Sequence, residues 1–572
     1  MSSTLSTVRF PYGAAIAAVM LACAPKDDTH DSTNSPPTLP VYEFDGGFSG
    51  SEDDLDAGLD LPPSDPSLEP GMVLRDGPTD PACLAGSAGE PLGLTVEDVD
   101  GDEHLDLLQA RCERLLVRRG RGDGYFDAPW QATFPGNPAL TAYTADLDQD
   151  GAPDLIWPGI EEVVLLRNRG DGTFAPFPNN LGLDAFGTLP SSWEGDHGRV
   201  TYHIQVIDMS GNGYPDILVG GAAFGSIFRT GIETFFFLPT ELWLGGPQGF
   251  SRDTSWPDDR GGTLHSLITH IDDDEVGIAV LNDFSEPQFA IPELNQTADN
   301  ALVRGRPGNW SHRTFRDAGV FADSPMGGVA LGMTTQPVPE LVISSQAGLV
   351  GILQVGDDLF DATSLWGLDQ GHDSLATTWT VLPLDLSSSG ERWILSNTGD
   401  LPLGFPSIGA DEGDLIWKMT PGTITSYERD NARLPQRSRQ VSRGGVLADI
   451  NADGRPDVLF QGATTDHTAG RPVQIDIYEA KRAGGEALEL RFDPLCRPIG
   501  ARVQVWSGDD VFYDDRFLPY TNMASMGNAP TDRLSVGVGG ASEIHVRVEG
   551  LGGQVRELRT PPGRRVFLPC VR

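Results

Sequence analysis

The sequence predicts an all-β fold, a seven-bladed β-propeller followed by a small C-terminal β-domain, and three observations lead there. Glycine (69) and proline (44) are abundant in a chain of 572 residues that has few long amphipathic helical stretches, the pattern of many short strands joined by turns. An acidic loop followed by a short apolar run recurs roughly every fifty to sixty residues. Remnants of the same pattern fill the gap between its intact copies. A chain of this length exceeds one ordinary core, and a repeat architecture spreads the core along it.

Four copies are intact. They begin at Asp98 (Asp98, Asp100, Asp102, Asp106), Asp146 (Asp146, Asp148, Asp150, Asp154), Asp208 (Asp208, Ser210, Asn212, Asp216) and Asp449 (Asp449, Asn451, Asp453, Asp457). Each lies between β-forming runs, so the loop is expected to join two strands. Oxygen atoms at loop positions 1, 3 and 5 converge, glycine at position 6 permits the sharp turn, and the residue at position 9 closes the shell. The backbone carbonyl at position 7 (His104, Ala152, Tyr214, Arg455) adds a neutral oxygen. Calcium requires six to eight oxygens, so the spacing predicts Ca2+ at these loops. The helices and position-12 Glu of an EF-hand are absent, and the plain alternative is an Asx turn without metal. The first loop departs from the pattern, with Glu103 in place of glycine, and the third holds only two carboxylates.

Three eroded copies lie near 272, 332 and 385. Asp272-Asp273-Asp274 is shortened, Gly332 to Ile343 keeps only Glu340 and the strand, and Asp385 to Leu395 keeps the frame with Ser387, Ser389 and Gly390. Four intact and three eroded copies make seven, and radial closure would protect their strand edges. Each repeat also carries an outer hairpin, as around Gly122-Asp123-Gly124 and Gly170-Asp171-Gly172. The Arg-Gly-Asp tripeptides there (Arg121 to Asp123, Arg169 to Asp171) follow from the repeated turn.

These residues resemble the FG-GAP/VCBS repeat family, and more narrowly bacterial proteins ending in an ASPIC/UnbV domain, the cartilage acidic protein-like family. The narrower resemblance rests on Asn282-Asp283-Phe284, on Ser324 to Ala330, and on Gly500-Ala501-Arg502-Val503, with Ser525-Met526-Gly527-Asn528 and Leu534 to Gly539 following in order. Where that family has a Trp-Pro-Ser-Gly-like segment, this chain has Glu549-Gly550-Leu551-Gly552-Gly553. The resemblance implies an extracytoplasmic calcium-binding propeller over 81–483, a β-domain over 484–572, and no particular reaction.

The N-terminus supplies an address. Arg9 precedes an apolar run from Ala14 to Ala22 that is too short to span a bilayer and fits a signal-peptide core. Ala22 before Cys23 resembles a bacterial lipobox, which implies a signal peptide over 1–23 and a lipidated Cys23 holding the chain to the cell envelope, at the outer membrane or cell surface. The alternative is an ordinary secretory signal with an incidental cysteine. Residues 24–80, rich in Asp, Ser and Pro, are expected to form a disordered tether with a reach on the order of 40 Å. Four further cysteines remain, Cys83, Cys112, Cys496 and Cys570. Three pairings are possible; locality favours Cys83–Cys112 and Cys496–Cys570 in an oxidising compartment.

Acidic residues outnumber basic ones 82 to 40, a formal charge of −42, which excludes nucleic acid and leaves the lipid anchor as the only membrane contact. No zinc-protease, nucleophile-elbow or phosphate-loop motif occurs, and the histidines, among them His203, His265 and His270, stand at no ligand spacing. The function expected is a binding or adhesion module for a glycan or protein ligand. The alternative is a polysaccharide-active lyase or hydrolase working from inter-blade loops.

Overall fold

A computed structural model of the chain describes residues 59–65, 67–80, 93–111, 114–132, 139, 141–159, 162–183, 197–225, 235–258, 261–271, 275–283, 299–322, 325–331, 340–345, 348–355, 358–369, 377–398, 414–420, 426–435, 440–464, 473–492, 501–516, 527–528, 532–550 and 554–568. The described chain is all-β apart from short helical turns.

Each repeat folds as an antiparallel meander. Sheet 1 comprises Leu94–Glu97, Asp106–Arg111, Arg114–Arg118 and Trp130–Ala132, and sheet 2 comprises Tyr143–Ala145, Asp154–Pro158, Val163–Asn168 and Phe174–Pro176. Sheet 3 contains His197–Ile207, Asp216–Gly225, Glu241–Leu244 and Ser251–Arg252, with Phe235–Phe237 also on its second strand. Sheets 4 and 5 are Gly262–Ile271, Val276–Asp283, Ala301–Arg306, Asn309–Thr314 and Pro325–Leu331, Glu340–Ser345, Gly348–Val355, Asp358–Asp361. Sheet 6 is Leu382–Leu384, Trp393–Ser396, Leu415–Thr420 and Ser426–Arg429. In sheet 7, Gln440–Ala448, Asp457–Thr464 and Val473–Ala480 are joined by Met72–Asp80 as the outermost strand. Every intact acidic loop joins a first strand to a second, and its position-9 aspartate opens the second strand.

The core lies between sheets. Val99, Leu108 and Val117 of the first repeat meet Leu155 and Trp157 of the second. Comparable apolar clusters join each later pair, and Leu94, Val96 and Leu107 of sheet 1 pack on Val446, Leu459 and Ile477 of sheet 7. At about 25 cal/mol per Å² of apolar surface, such burial is the main force holding neighbouring sheets together.

The tether expected over 24–80 needs correction. Leu59–Asp60 pairs with Arg564–Leu568, and Met72–Asp80 pairs with Val473–Ala480. Leu61 and Met72 are buried. A polar segment becomes a strand here because unpaired sheet edges accept it, not because it has a core of its own.

The C-terminal residues form a sandwich of two sheets. One is Glu486–Phe492, Arg533–Gly539 and Arg564–Leu568 with Leu59–Asp60; the other is Arg502–Ser507, Asp510–Arg516, Ile544–Glu549 and Val555–Thr560. Alternate residues of both, such as Leu488, Leu490, Val503, Val505, Val536 and Val546, make one shared core. From the same part of the chain Gly527–Asn528 reaches sheet 1, pairing parallel with Leu94–Thr95.

Sheets 6 and 7 also share a buried polar bridge. Tyr478 Oη donates to Asp414 Oδ2 at 2.7 Å, and Ser442 Oγ donates to Oδ1 at 3.3 Å. Burial pushes the Asp414 carboxyl up to about 6. A folded-state value above the unfolded one stabilises most at low pH, and that contribution is lost as pH rises through about 6. Asp414→Asn should therefore gain melting temperature relative to the parent as pH increases from 4 to 7; a difference independent of pH would show that Asp414 does not titrate there.

Candidate metal centres

All four intact loops share one backbone path. The position-1 aspartate turns back on its own loop. Asp98 accepts from the amides of Gly101 and Glu103 (2.8 Å each), and Asp146 from Asp150 (3.1 Å) and Gly151 (3.0 Å). Asp208 accepts from Asn212 (3.0 Å) and Gly213 (2.7 Å), and Asp449 from Asp453 (3.0 Å) and Gly454 (2.7 Å). Positions 4 and 6 take positive φ throughout: Gly101 and Glu103, Gln149 and Gly151, Gly211 and Gly213, Ala452 and Gly454. The eroded Asp385 loop follows the same path, with Ser388 and Gly390 at positive φ and the Gly390 amide 2.7 Å from Asp385 Oδ2. It has lost three of the four acids and kept the turn.

The position-9 aspartate fastens the loop to the third strand. Asp106 accepts from the amides of Val99 (3.1 Å) and Gly120 (2.8 Å), and Asp154 from Leu147 and Asn168 (2.9 Å each). Asp216 accepts from Ser210 (2.7 Å) and Gly245 (2.8 Å), and Asp457 from Ile450 (3.3 Å) and Ala480 (2.9 Å).

Two loops gather three carboxylates. Oxygens of Asp98, Asp100 and Asp106 lie within 4.8 Å of one another, and so do those of Asp146, Asp148 and Asp154. Within these clusters the Oδ1 atoms of Asp100 and Asp148 are buried with no hydrogen-bond partner. A buried, unpartnered carboxylate oxygen among like charges is costly unless a cation meets it. The electrostatics agree. Burial, with the neighbouring acids adding to it, pushes Asp106 up to about 7 and Asp154 up to about 8. Burial also raises Asp100 and Asp148, and each is faced by one arginine, Arg119 Nε at 3.0 Å and Arg167 Nε at 2.7 Å. An oxygen-only donor set that is partly buried and strongly anionic fits a hard divalent cation such as calcium.

Position 5 stands outside both clusters. Asp102 Oδ1 accepts from the His104 amide (2.9 Å) and Asp150 Oδ1 from Ala152 (3.0 Å), while Asp150 Oδ2 takes Arg167 Nη2 at 2.9 Å. Asn212 and Asp453 make the same local turn with the amides of Tyr214 and Arg455. The Asp208 loop brings Ser210 Oγ to 3.2 Å from Asp208 Oδ1 but holds only two acids. In the Asp449 loop, Asn451 Nδ2 donates to Glu479 Oε1 (3.1 Å), and Asp453 Oδ2 pairs with Arg482 Nε (3.1 Å). Arg455, almost wholly buried, spans Ser64 Oγ (2.8 Å) and the Gly485 carbonyl (3.0 Å).

Reading the loops as isolated segments misses what covers them. The sandwich lies over the loops of sheets 6, 7 and 1: Gly485 and Gly539 donate to the Ser387 and Ser388 carbonyls, and Arg491 reaches Glu103. The position-6 anomaly at Glu103 is the one signal in the sequence that pointed there. Cys23, Cys83, Cys112, Cys496 and Cys570 lie outside the described residues, as do the eroded segments 272–274 and 332–339. His203 and His265 are buried side by side in the core, ring centroids 4.7 Å apart. A cleft opens between sheet 6 and the sandwich, lined by Trp393, Met419, Phe512 and Tyr513, with Glu391 among its polar groups.

The FG-GAP-like repeat family matches residues 98–157 and 146–219, so the chain carries FG-GAP-like repeats. No curated protein matches. Similar solved structures include BBS1N in complex with ARL6DN, soaked with lead (10% identity, TM-score 0.40, 72% of this chain and 97% of that one). An Agrocybe aegerita lectin specific for non-reducing terminal N-acetylglucosamine is similar at 15% identity (TM-score 0.36, 65% and 80%). The WD40 domain of Toxoplasma gondii coronin is similar at 10% identity (TM-score 0.39, 74% and 89%).

The loops make distinct predictions. Asp148→Ala should lower the melting temperature in calcium and leave the chelated protein nearly unchanged. Asp385→Ala, whose carboxylate holds only a turn, should cost about 1–3 kcal/mol equally in calcium and in chelator. Equal losses for Asp148→Ala under both conditions would reduce its loop to a turn as well.

Proposed function

We propose that the chain is an extracytoplasmic, calcium-binding β-propeller lipoprotein that acts as a binding or adhesion module for a glycan or protein ligand. The observation that carries the reading is the pair of three-carboxylate loops with buried, unpartnered oxygens at Asp100 and Asp148. Asp98, Asp100 and Asp106 hold one ion, and Asp146, Asp148 and Asp154 the other, with the position-7 carbonyls of His104 and Ala152 adding a neutral oxygen to each and water filling the rest of the shell. The ion's part is structural: it neutralises the buried acids and fixes the loop.

In this reading the seven sheets are blades closed into one ring. The support is the apolar packing of sheet 7 on sheet 1 and a contact that recurs around the sheets. The carbonyl at loop position 2 accepts from the next repeat's outer hairpin or the residue leading into it: Val99 from Asn168 Nδ2, Met209 from Arg306, and Ile450 from the Gly124 amide, the last passing from sheet 7 to sheet 1. Cys23 anchors the molecule to the envelope. The cleft beside Trp393, Phe512 and Tyr513 is the place for a ligand, since aromatic walls with a few polar groups at a domain boundary suit a sugar ring or an apolar side chain.

Thermal unfolding in millimolar calcium and in excess chelator tests the reading. Each site filled at a hundred times its dissociation constant adds about 2.7 kcal/mol, so two sites should raise the melting temperature by several degrees. No shift would remove calcium from the function.

A further inference from the structure

The Asp98 loop differs from its siblings in one respect that metal binding does not require. Position 6 is glycine in the Asp146, Asp208, Asp385 and Asp449 loops, at φ values of 81° to 90°. Here Glu103 takes the same left-handed conformation at φ 69°, which a side chain resists. Its surroundings supply the reason. Arg491 of the sandwich points Nη2 at the Glu103 carbonyl (3.5 Å) and Nη1 at its carboxylate (3.6 Å).

Arg491 belongs to a buried charge cluster at the base of the sandwich. Its Nε donates to Glu489 Oε1 at 2.9 Å, Arg565 Nε donates to the other oxygen of Glu489, and Arg533 pairs with Asp532 at 3.0 Å. Within the sandwich three arginines thus face two acids. The ring supplies the balancing acids: Glu97 and Asp98 act on Arg533, and Glu103, its side chain more than half exposed, meets Arg491. A buried net charge is strongly unfavourable, so the seat is electrostatically specific. The cluster also straddles the join between sheets 7 and 1: Arg533 acts on Asp98 and Glu489 on Asp449, the position-1 residues of the two loops there. Close by, Gly527–Asn528 adds to Leu94–Thr95, the strand that leads into the Asp98 loop.

We propose that the Asp98 loop is a calcium-dependent seat for the C-terminal sandwich, with Glu103 as the residue that couples metal to docking. The inference rests on the calcium reading above. A filled loop holds Glu103 in its left-handed conformation with carbonyl and carboxylate toward Arg491. An empty loop, its acids repelling one another, lets Glu103 relax and loosens its contact with Arg491. By linkage, docking in turn favours calcium at this loop. The Asp146 loop, which carries Gly151 at position 6, gives no such signal.

The test combines two measurements on the full-length chain: bound calcium by equilibrium dialysis, and amide exchange at the interdomain pair of Leu94–Thr95 with Gly527–Asn528. Asp98→Asn should lose one calcium and speed exchange at that pair at least tenfold, with sheets 4 and 5 unchanged. Asp146→Asn should lose one calcium and leave the pair within twofold of the parent. Glu103→Gly restores the residue the other loops use, so it should fold, keep its calcium and still speed exchange at the pair. If Asp98→Asn loses a calcium without faster exchange, or Glu103→Gly exchanges like the parent, the coupling is wrong and the calcium reading survives. If neither aspartate variant loses calcium, the calcium reading fails and takes the coupling with it.

Discussion

A carboxylate that folds back onto its own backbone organises this molecule. In five loops the first aspartate accepts amides from the residues that follow it, and this turn sets the height and direction at which the second strand begins. Where the ninth residue is also an aspartate, it ties the same loop to the end of the third strand. The meander is thereby pinned at one end by side chain-to-backbone bonds that need no metal. In the proposed reading calcium is added to a turn that already exists, which explains how the Asp385 copy could lose three of its four acids without losing its shape.

That division of labour decides how much could be read in advance. The repeat, the strand–loop–strand context and the identity of positions 1 and 9 follow from spacing alone, because both residues bond locally. Position 5 did not follow. Asp102 and Asp150 have the right chemistry, but each is closer to satisfying an amide two residues on, and Asp150 also meets an arginine brought in by the third strand. The strands at Leu59–Asp60 and Met72–Asp80 were illegible for a different reason. Their residues look like linker, and what makes them strands is an open sheet edge contributed by residues some four to five hundred positions later.

The sandwich breaks the symmetry of the repeats. Loops under it trade exposure for protein contacts: Asp453 takes Arg482, Arg455 reaches the N-terminal segment, and the serines of the Asp385 loop accept amides from Gly485 and Gly539. The Asp146 loop instead faces Arg167 of its own sheet and the neighbouring Gly213, and keeps a cluster of acids with one oxygen unsatisfied. Cover alone does not set the erosion: of the three loops under the sandwich, those at Asp98 and Asp449 are intact and the one at Asp385 is eroded.

The outermost strand of sheet 7 is made early and used late. Arg75 and Glu479, which pair across that sheet, are 404 residues apart in sequence. A chain emerging from its N-terminus can build the first six sheets in order, yet it holds an open-ended stack until nearly all of it has been synthesised. Contacts of such long range are slow to form and expose strand edges meanwhile. For the exported chain proposed above, this delay keeps the polypeptide unfinished, and so threadable, until residues 473–480 and 564–565 are made.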